Sequence, residues 1–452
     1  MRAVTFRLAA ALAALGCFLS MSWLYGWGNP GLYEDILRWY GVMPFRFPFV
    51  DISGSLAAWE CVRQGIDVIM SDPCDVLHGG YSYSPLWMAA SSVPLGVDDT
   101  MAVGWCLDLL FIGSLTLLPP PRRPFELVLV LAGTLSTMVV FALERANPDL
   151  LLFVLALAAG LLADRRMPLR VIAYCLALLA ALCKYYPIMV LITVFRERPS
   201  RFVATAIAIT AALAVFCVVY HTEIGKGLPT IPQGPYNTDL FAAKNLPFLL
   251  GEAAGSATEP SSWASLAERA YAGAIYVTLV GGCLTISRRL LSSGALSATL
   301  ASLGALERTL LVIGSAVIAG CFFAGQSIGY RGVFLLMVIP GLLAISRVPE
   351  RNLQKLGVGT SSVVVLLMWG ECLRFTLDRV LKNSAMPQIV ADNLKILFWF
   401  IREFGWWWTV SVMLAVLADF LWDSPIVAAA SHLADHLIVR ARRPDRGPRT
   451  PQ

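Results

Sequence analysis

Apolar runs of helix length recur along the whole chain, and short basic loops separate alternate ones. Starting with 6–27, the runs cover about 101–118, 124–143, 148–163, 170–183, 186–195, 202–220, 270–287, 309–324, 332–346, 356–371 and 405–422. Crossing a bilayer takes about 20 mostly apolar residues in a helix. The pattern therefore predicts an all-α polytopic membrane protein, a bundle of about twelve transmembrane helices. Composition agrees: 57% of residues are hydrophobic and 14% charged, where soluble domains carry roughly a quarter charged. A water-soluble protein, a disordered chain and a small disulfide-dense fold are excluded on those grounds.

The basic loops set an orientation. They lie at Arg122-Arg123, Arg165-Arg166, Arg196 to Arg201, Arg288-Arg289 and Arg347 to Lys355, with a basic tail from Arg440 to Arg449. Cytoplasmic loops are the basic ones in membrane proteins. This places both termini inside and makes 1–422 one transmembrane domain, with a first outer loop at 28–99, a second large outer loop at 221–268 and a cytoplasmic basic tail at 423–452. The basic segments then report topology, not a nucleic-acid partner. The first run follows Arg2 and Arg7 and ends among Trp23, Tyr25 and Trp27, which fits an uncleaved anchor with an aromatic belt better than a signal peptide. Within the first outer loop, Gly54 to Arg63 reads as a short amphipathic helix and Pro85 to Pro94 as an interfacial segment.

One stretch constrains the interior. Met167 to Phe195 lies between two cytoplasmic basic loops and is interrupted by Lys184-Tyr185-Tyr186-Pro187, so the chain must go in and come back. Each arm has about 10 to 14 residues, roughly 15 to 21 Å of helix, too short to span. Backbone at that depth persists only when buried in protein or lining a watery cavity. The expectation is an outward-facing cavity in the membrane with Lys184 at its floor.

The ten cysteines are scattered without a CxxC pair, so neither a zinc site nor a redox motif is expected. Cys61 and Cys74 share the first outer loop. An oxidising compartment would allow them to bridge; two reduced thiols are the expectation.

Several polar groups fall on the outer side. Asp51, in Pro48-Phe49-Val50-Asp51-Ile52, is a carboxylate among apolar residues, suited to a general base or to capping a helix that starts near Gly54. His78 opens the run toward Tyr81, Tyr83 and Pro85, where tyrosines serve as sugar platforms or as belt anchors. Glu144-Arg145-Ala146-Asn147-Pro148-Asp149 forms an outer turn whose charges pair locally at a helix start or line a site. Arg331, after Gln326 to Tyr330, suits paired hydrogen bonds to a phosphate. Asp108 is an intramembrane acid with no partner legible in the sequence. No Gly-rich phosphate loop or nucleotide-binding domain is present, which argues against a nucleotide-activated donor.

The order Asp51 after the first helix, Tyr83-Ser84-Pro85-Leu86, Asn147 opening an apolar helix, Lys184-Tyr185-Tyr186-Pro187 and Tyr330-Arg331 resembles the polyprenol-phosphate-sugar-dependent glycosyltransferases of the GT-C superfamily, especially the mannosyltransferases of glycosyltransferase family 87. The resemblance covers about residues 6 to 346. It implies inverting transfer of a sugar, mannose above others, from a polyprenyl monophosphate to an acceptor hydroxyl on a glycolipid, glycan or protein, at the outer face of a bacterial-type plasma membrane. Asp51 would be the base. Lys184 and Arg331 would hold the donor phosphate, and Tyr83, Glu144, Asn147, Tyr330 and His78 would contact sugar or acceptor. No metal and no cofactor is expected. The chain departs from the family in reading Tyr-Ser-Pro-Leu for Tyr-Pro-Pro-Leu and Ala-Asn-Pro-Asp where a Gly-Gln-type pair is common.

Two other functions share the same expected cavity. A transporter or flippase of lipid-linked sugars would use the cations without needing Asp51, but it is often built from two repeated halves, and none is visible. A polymerase or ligase of lipid-linked glycans would gather its basic residues in one large outer loop, whereas these are spread over several.

Overall fold

Among the described residues, seven helices are long and apolar enough to span a membrane, or eight if the bent pair Arg351–Met368 and Gly370–Lys382 counts as one span. The protein is a multi-pass membrane protein, all-α among the described residues. The computed structural model describes residues 2–431 except 46, 71, 78–80, 82, 228–233, 235–239 and 256–261. His78 and most of the basic tail lie outside the described residues.

The first part of the chain comprises α1 (Arg2–Gly26), α2 (Pro30–Trp39), α3 (Val50–Arg63), α4 (Leu86–Ala89) and α5 (Thr100–Ser114). Next come α6 (Pro124–Thr134), α7 (Thr137–Arg145), α8 (Asp149–Ala163) and α9 (Met167–Cys183). After a 3-10 segment at Tyr186–Arg196 follow α10 (Pro199–Val219), α11 (His221–Gly227), α12 (Asn245–Gly255) and α13 (Ser262–Ser292). The last part holds α14 (Ala295–Ser302), α15 (Ala305–Ala324), a 3-10 turn at Gly329–Phe334, α16 (Leu335–Ile345), α17 (Arg351–Met368), α18 (Gly370–Lys382) and α19 (Gln388–Trp422).

Each of the twelve apolar runs is helical, but twelve spans do not result. Asp149–Ala163, Met167–Cys183, Tyr186–Arg196 and Gly329–Ile345 are shorter apolar helices of 10–17 residues. Apolarity marks burial, and here much of it is burial against protein: α16 is buried along its whole length, and α15 over most of its own. The Met167–Arg196 hairpin has the expected form, two short arms and a break at Lys184 and Tyr185.

Two amphipathic helices, α2 and α18, lie almost wholly outside the apolar runs. Asn29 accepts the Leu32 N–H at 3.2 Å and Pro30 stands in the first turn of α2, a start signal present in the sequence. Helix α18 turns 63° away from α17 and packs beside α2. Gly41 allows that approach: its φ is +79°, and a Cβ there would sit 2.6 Å from the Cys372 backbone nitrogen.

An aromatic column runs through the core from α5 to the hairpin. Phe111 meets Phe153 at 5.1 Å between ring centroids, Phe153 meets Phe334 at 5.9 Å, and Phe334 meets Tyr186 at 5.9 Å. Such pairs stabilise by about 0.5–1.5 kcal/mol each beyond their buried area. The column carries the 3-10 turn bearing Arg331 and the hairpin tip bearing Lys184 to the same place. In the second large loop, 240–243 is buried, and Phe241 exchanges backbone hydrogen bonds with Ser327 at 2.9 and 3.0 Å. Part of that loop is therefore core, which its sequence did not announce.

Candidate functional site

Helix α3 begins at Val50, earlier than expected, so Asp51 lies in its first turn and is not its cap. The cap is Phe49, at φ 67°. Its N–H donates to the Glu144 carbonyl at 2.7 Å, and its ring fills the space left by Gly104, where a Cβ would overlap it. Helix α7 ends with Ala146 at φ 41°, and the Asn147 N–H returns to the Ala142 carbonyl at 3.0 Å. This is the left-handed C-terminal turn that glycine usually makes; alanine holds it at a cost of about 1–2 kcal/mol. Phe49 and Ala146 are the two non-glycine residues with positive φ among the described residues, and they flank Asp51 and Asn147.

The two strained turns bring those residues together. Asn147 Nδ2 donates to Asp51 Oδ2 at 2.5 Å, while Asn147 Oδ1 accepts the Asp149 N–H at 2.9 Å. Arg145 Nη1 stands 3.9 Å from Asp51 Oδ1, and its Nε stands 3.0 Å from Glu144 Oε2. The Arg145 guanidinium also lies over Phe45 at 4.0 Å and Phe141 at 5.0 Å. Burial pushes the Asp51 carboxyl above the usual carboxylate range, against the opposing pull of Arg145, Asn147 and Lys184.

Asp149 has a fully buried side chain. Lys184 Nζ donates to Asp149 Oδ1 at 2.5 Å, and Arg331 Nε stands 3.9 Å from Oδ2. Arg331 Nη1 donates to Ser327 Oγ at 2.9 Å. Aromatic rings surround the lysine: Tyr83 at 5.1 Å, Tyr330 at 5.4 Å and Tyr186 at 5.9 Å. Tyr186 is also 5.0 Å from the Arg331 guanidinium. Each contact is a cation–π attraction, stronger where water is excluded.

The loop between α3 and α5 clamps the hairpin tip. Ser84 Oγ donates to the Leu182 carbonyl at 2.5 Å and Trp87 Nε1 donates to the Cys183 carbonyl at 3.0 Å. These are end-of-helix carbonyls that α9 cannot satisfy itself. A proline at 84 would have no such donor. A Cys61–Cys74 disulfide joins this loop to α3, a correction to the expectation of two reduced thiols. Asp72 stands beside them, but the two sulfurs are bonded to each other and cannot both serve as thiolate ligands.

The structure thus gathers Asp51, Tyr83, Glu144, Asn147, Lys184, Tyr330 and Arg331. His78 lies outside the described residues. Sequence reading missed the parts of Arg145 and Asp149, whose partners Asp51 and Lys184 are 94 and 35 residues away along the chain. Asp108 is fully buried on α5, and both its carboxylate oxygens have no hydrogen-bond partner.

No family model matches the chain, and neither a curated protein nor a solved structure matches it.

The charges divide the site into two halves. Around Asn147, one half holds Asp51 and Glu144 against the single cation Arg145. The other holds Lys184 and Arg331 against the single carboxylate Asp149. A proton acceptor on one side and surplus positive charge on the other is an arrangement that can take a proton from one group while stabilising an anion that leaves another.

Proposed function

We propose that this protein is an integral membrane glycosyltransferase of the GT-C type that moves a sugar, mannose by resemblance, from a polyprenyl-phosphate donor to an acceptor hydroxyl. The observation that carries the reading is the convergence of Lys184 and Arg331 on one carboxylate, Asp149, joined through Asn147 to Asp51. Asp51 takes the proton of the acceptor hydroxyl as its oxygen attacks the anomeric carbon. The bond from that carbon to the phosphate oxygen breaks, and the electron pair leaves with the phosphate toward Lys184 and Arg331. Attack and departure on opposite faces invert the anomeric centre. Tyr83 and Tyr330 are the aromatic surfaces beside the sugar. The disulfide supports an outer, oxidising side for the first loop, and with it a periplasmic or extracellular site, an outward-facing cavity and cytoplasmic termini.

The test is transfer from radiolabelled polyprenyl-phosphate-mannose into a total lipid extract by purified protein, comparing wild type with Asp51→Asn. Label in a new product with wild type, lost in the variant at unchanged melting temperature, supports both transferase and base. Transfer that survives the substitution removes Asp51 from the chemistry. Saturable donor binding without transfer by either protein would favour the transporter.

A further inference from the structure

Two cavities meet at a pair of arginines. The first, of about 410 Å³, lies between α12, α18 and the start of α19; Leu249, Leu250, Ile396, Trp399 and Phe400 form its apolar wall. The second, of about 270 Å³, has Phe141, Leu240, Glu371 and Trp406 on its wall and reaches Arg145. Arg374 and Arg402 line both. The path therefore starts among apolar side chains, passes two guanidiniums and ends at the arginine that stands 3.9 Å from Asp51.

We infer that this path binds an anionic amphiphile from the bilayer, with its chain in the apolar cavity, its charged group at Arg374 and Arg402, and its hydroxylated head toward Arg145. Four cations line the two cavities, Arg145, Arg374, Lys395 and Arg402, against the carboxylates Glu371 and Asp378. Glu371 holds Arg374 at 2.6 Å and Arg402 at 3.0 Å. Glu403 pairs with Arg402 at 3.2 Å and lines neither cavity. Arg402 is 7% exposed, and its Nε has no hydrogen-bond partner, so a buried donor at the junction stays unsatisfied. Guanidinium groups suit a phosphate or carboxylate because they donate in pairs. Lipid is the source because the first cavity has an apolar wall, and Ile396 and Ile401 on the same helix are 52% and 63% exposed on a membrane protein.

The amphiphile is the acceptor if Asp51 is the base, and that role alone rests on the proposed transferase. Binding does not. The protein is placed in phosphatidylcholine nanodiscs containing a minor fraction of either photoactivatable phosphatidylglycerol or diacylglycerol with the same labelled chains. The expected result is several-fold more cross-linking of phosphatidylglycerol to peptides covering 245–253 and 395–402. Arg374→Gln, at a partly exposed position, is expected to lower that cross-linking several-fold; Arg374→Lys should keep most of it, and Lys184→Met all of it. Equal labelling by both lipids in wild type, or labelling confined to other segments, would overturn the inference without any variant. Competition by inorganic phosphate alone at millimolar concentration would also overturn it, since the site would then recognise a free anion. Lipid preference without sugar transfer would sink the transferase and leave the lipid site standing. Transfer without lipid preference would do the reverse.

Discussion

Helix α16 joins two buried ion clusters. At its C-terminal end, Arg347 bonds Glu126 through Nε at 3.0 Å and Nη2 at 2.9 Å, and Glu307 through Nη1 at 2.8 Å. Glu126 also accepts the Arg122 N–H at 2.6 Å, and Glu307 accepts the Gly304 N–H at 3.3 Å at the start of α15. At its N-terminal end, Arg331 and Lys184 share Asp149; Arg331 Nε and Asp149 Oδ2, 3.9 Å apart, and Glu144 Oε1 have no hydrogen-bond partner. Similar residues thus make a closed network at one end and an open one at the other. A closed network ties helix starts together; an open one, at the same cost of burying charge, retains capacity for a ligand.

The largest expected effect separates chemistry from structure at the open end. Asp51→Asn should slow transfer by about a hundred- to ten-thousand-fold, the usual size of general-base catalysis, with little change in thermal unfolding. At the closed end the pattern should reverse. Arg347→Ala leaves the buried Glu126 without its cation and Glu307 with only Arg122 at 3.5 Å, and should destabilise by about 3–5 kcal/mol, seen in denaturation, while the folded fraction keeps its transfer rate. Equal losses of activity from both substitutions would erase the contrast.

A smaller effect sharpens it. Asp149→Asn removes the carboxylate that Lys184 and Arg331 share, so polyprenyl phosphate should raise the melting temperature of this variant more than that of wild type. Glu126→Gln should gain no such response. If both variants respond alike, the open end is no better an anion site than the closed one.

The smallest effect is in pH. Asp51 acts as a base only when ionised, and burial raises its pKa above the usual carboxylate range. Transfer should therefore fall on acidification at a pH above that range, and this limb should be missing from residual Asp51→Asn activity. The fold binds this proton more tightly than the unfolded chain does. The stability it contributes is full below the unfolded pKa and is lost as pH rises through the folded one.

Much of this was legible in the sequence, for identifiable reasons. Apolar runs and basic loops announced a helical membrane protein because bilayer thickness and charge cost act on local composition. The Met167–Phe195 hairpin was legible from the length of its arms alone. The number of spans was not, because a short helix buried in protein is as apolar as one in lipid. Asp51, Lys184 and Arg331 were visible as polar residues in costly places. Asp149 was visible too, but its local setting after Pro148 fits an ordinary helix start, and nothing local reports a lysine 35 residues on. The two strained turns at Phe49 and Ala146 carry no sequence signal, since glycine stands at neither.

Ser84 and Trp87 hold the last carbonyls of α9, and a disulfide closes the chain just before them. Loop and hairpin tip are therefore mechanically one piece. Peeling the loop away from Lys184 would break both of those hydrogen bonds, so the lysine moves with the loop, and any opening beside it falls along the seams between this piece and its neighbours.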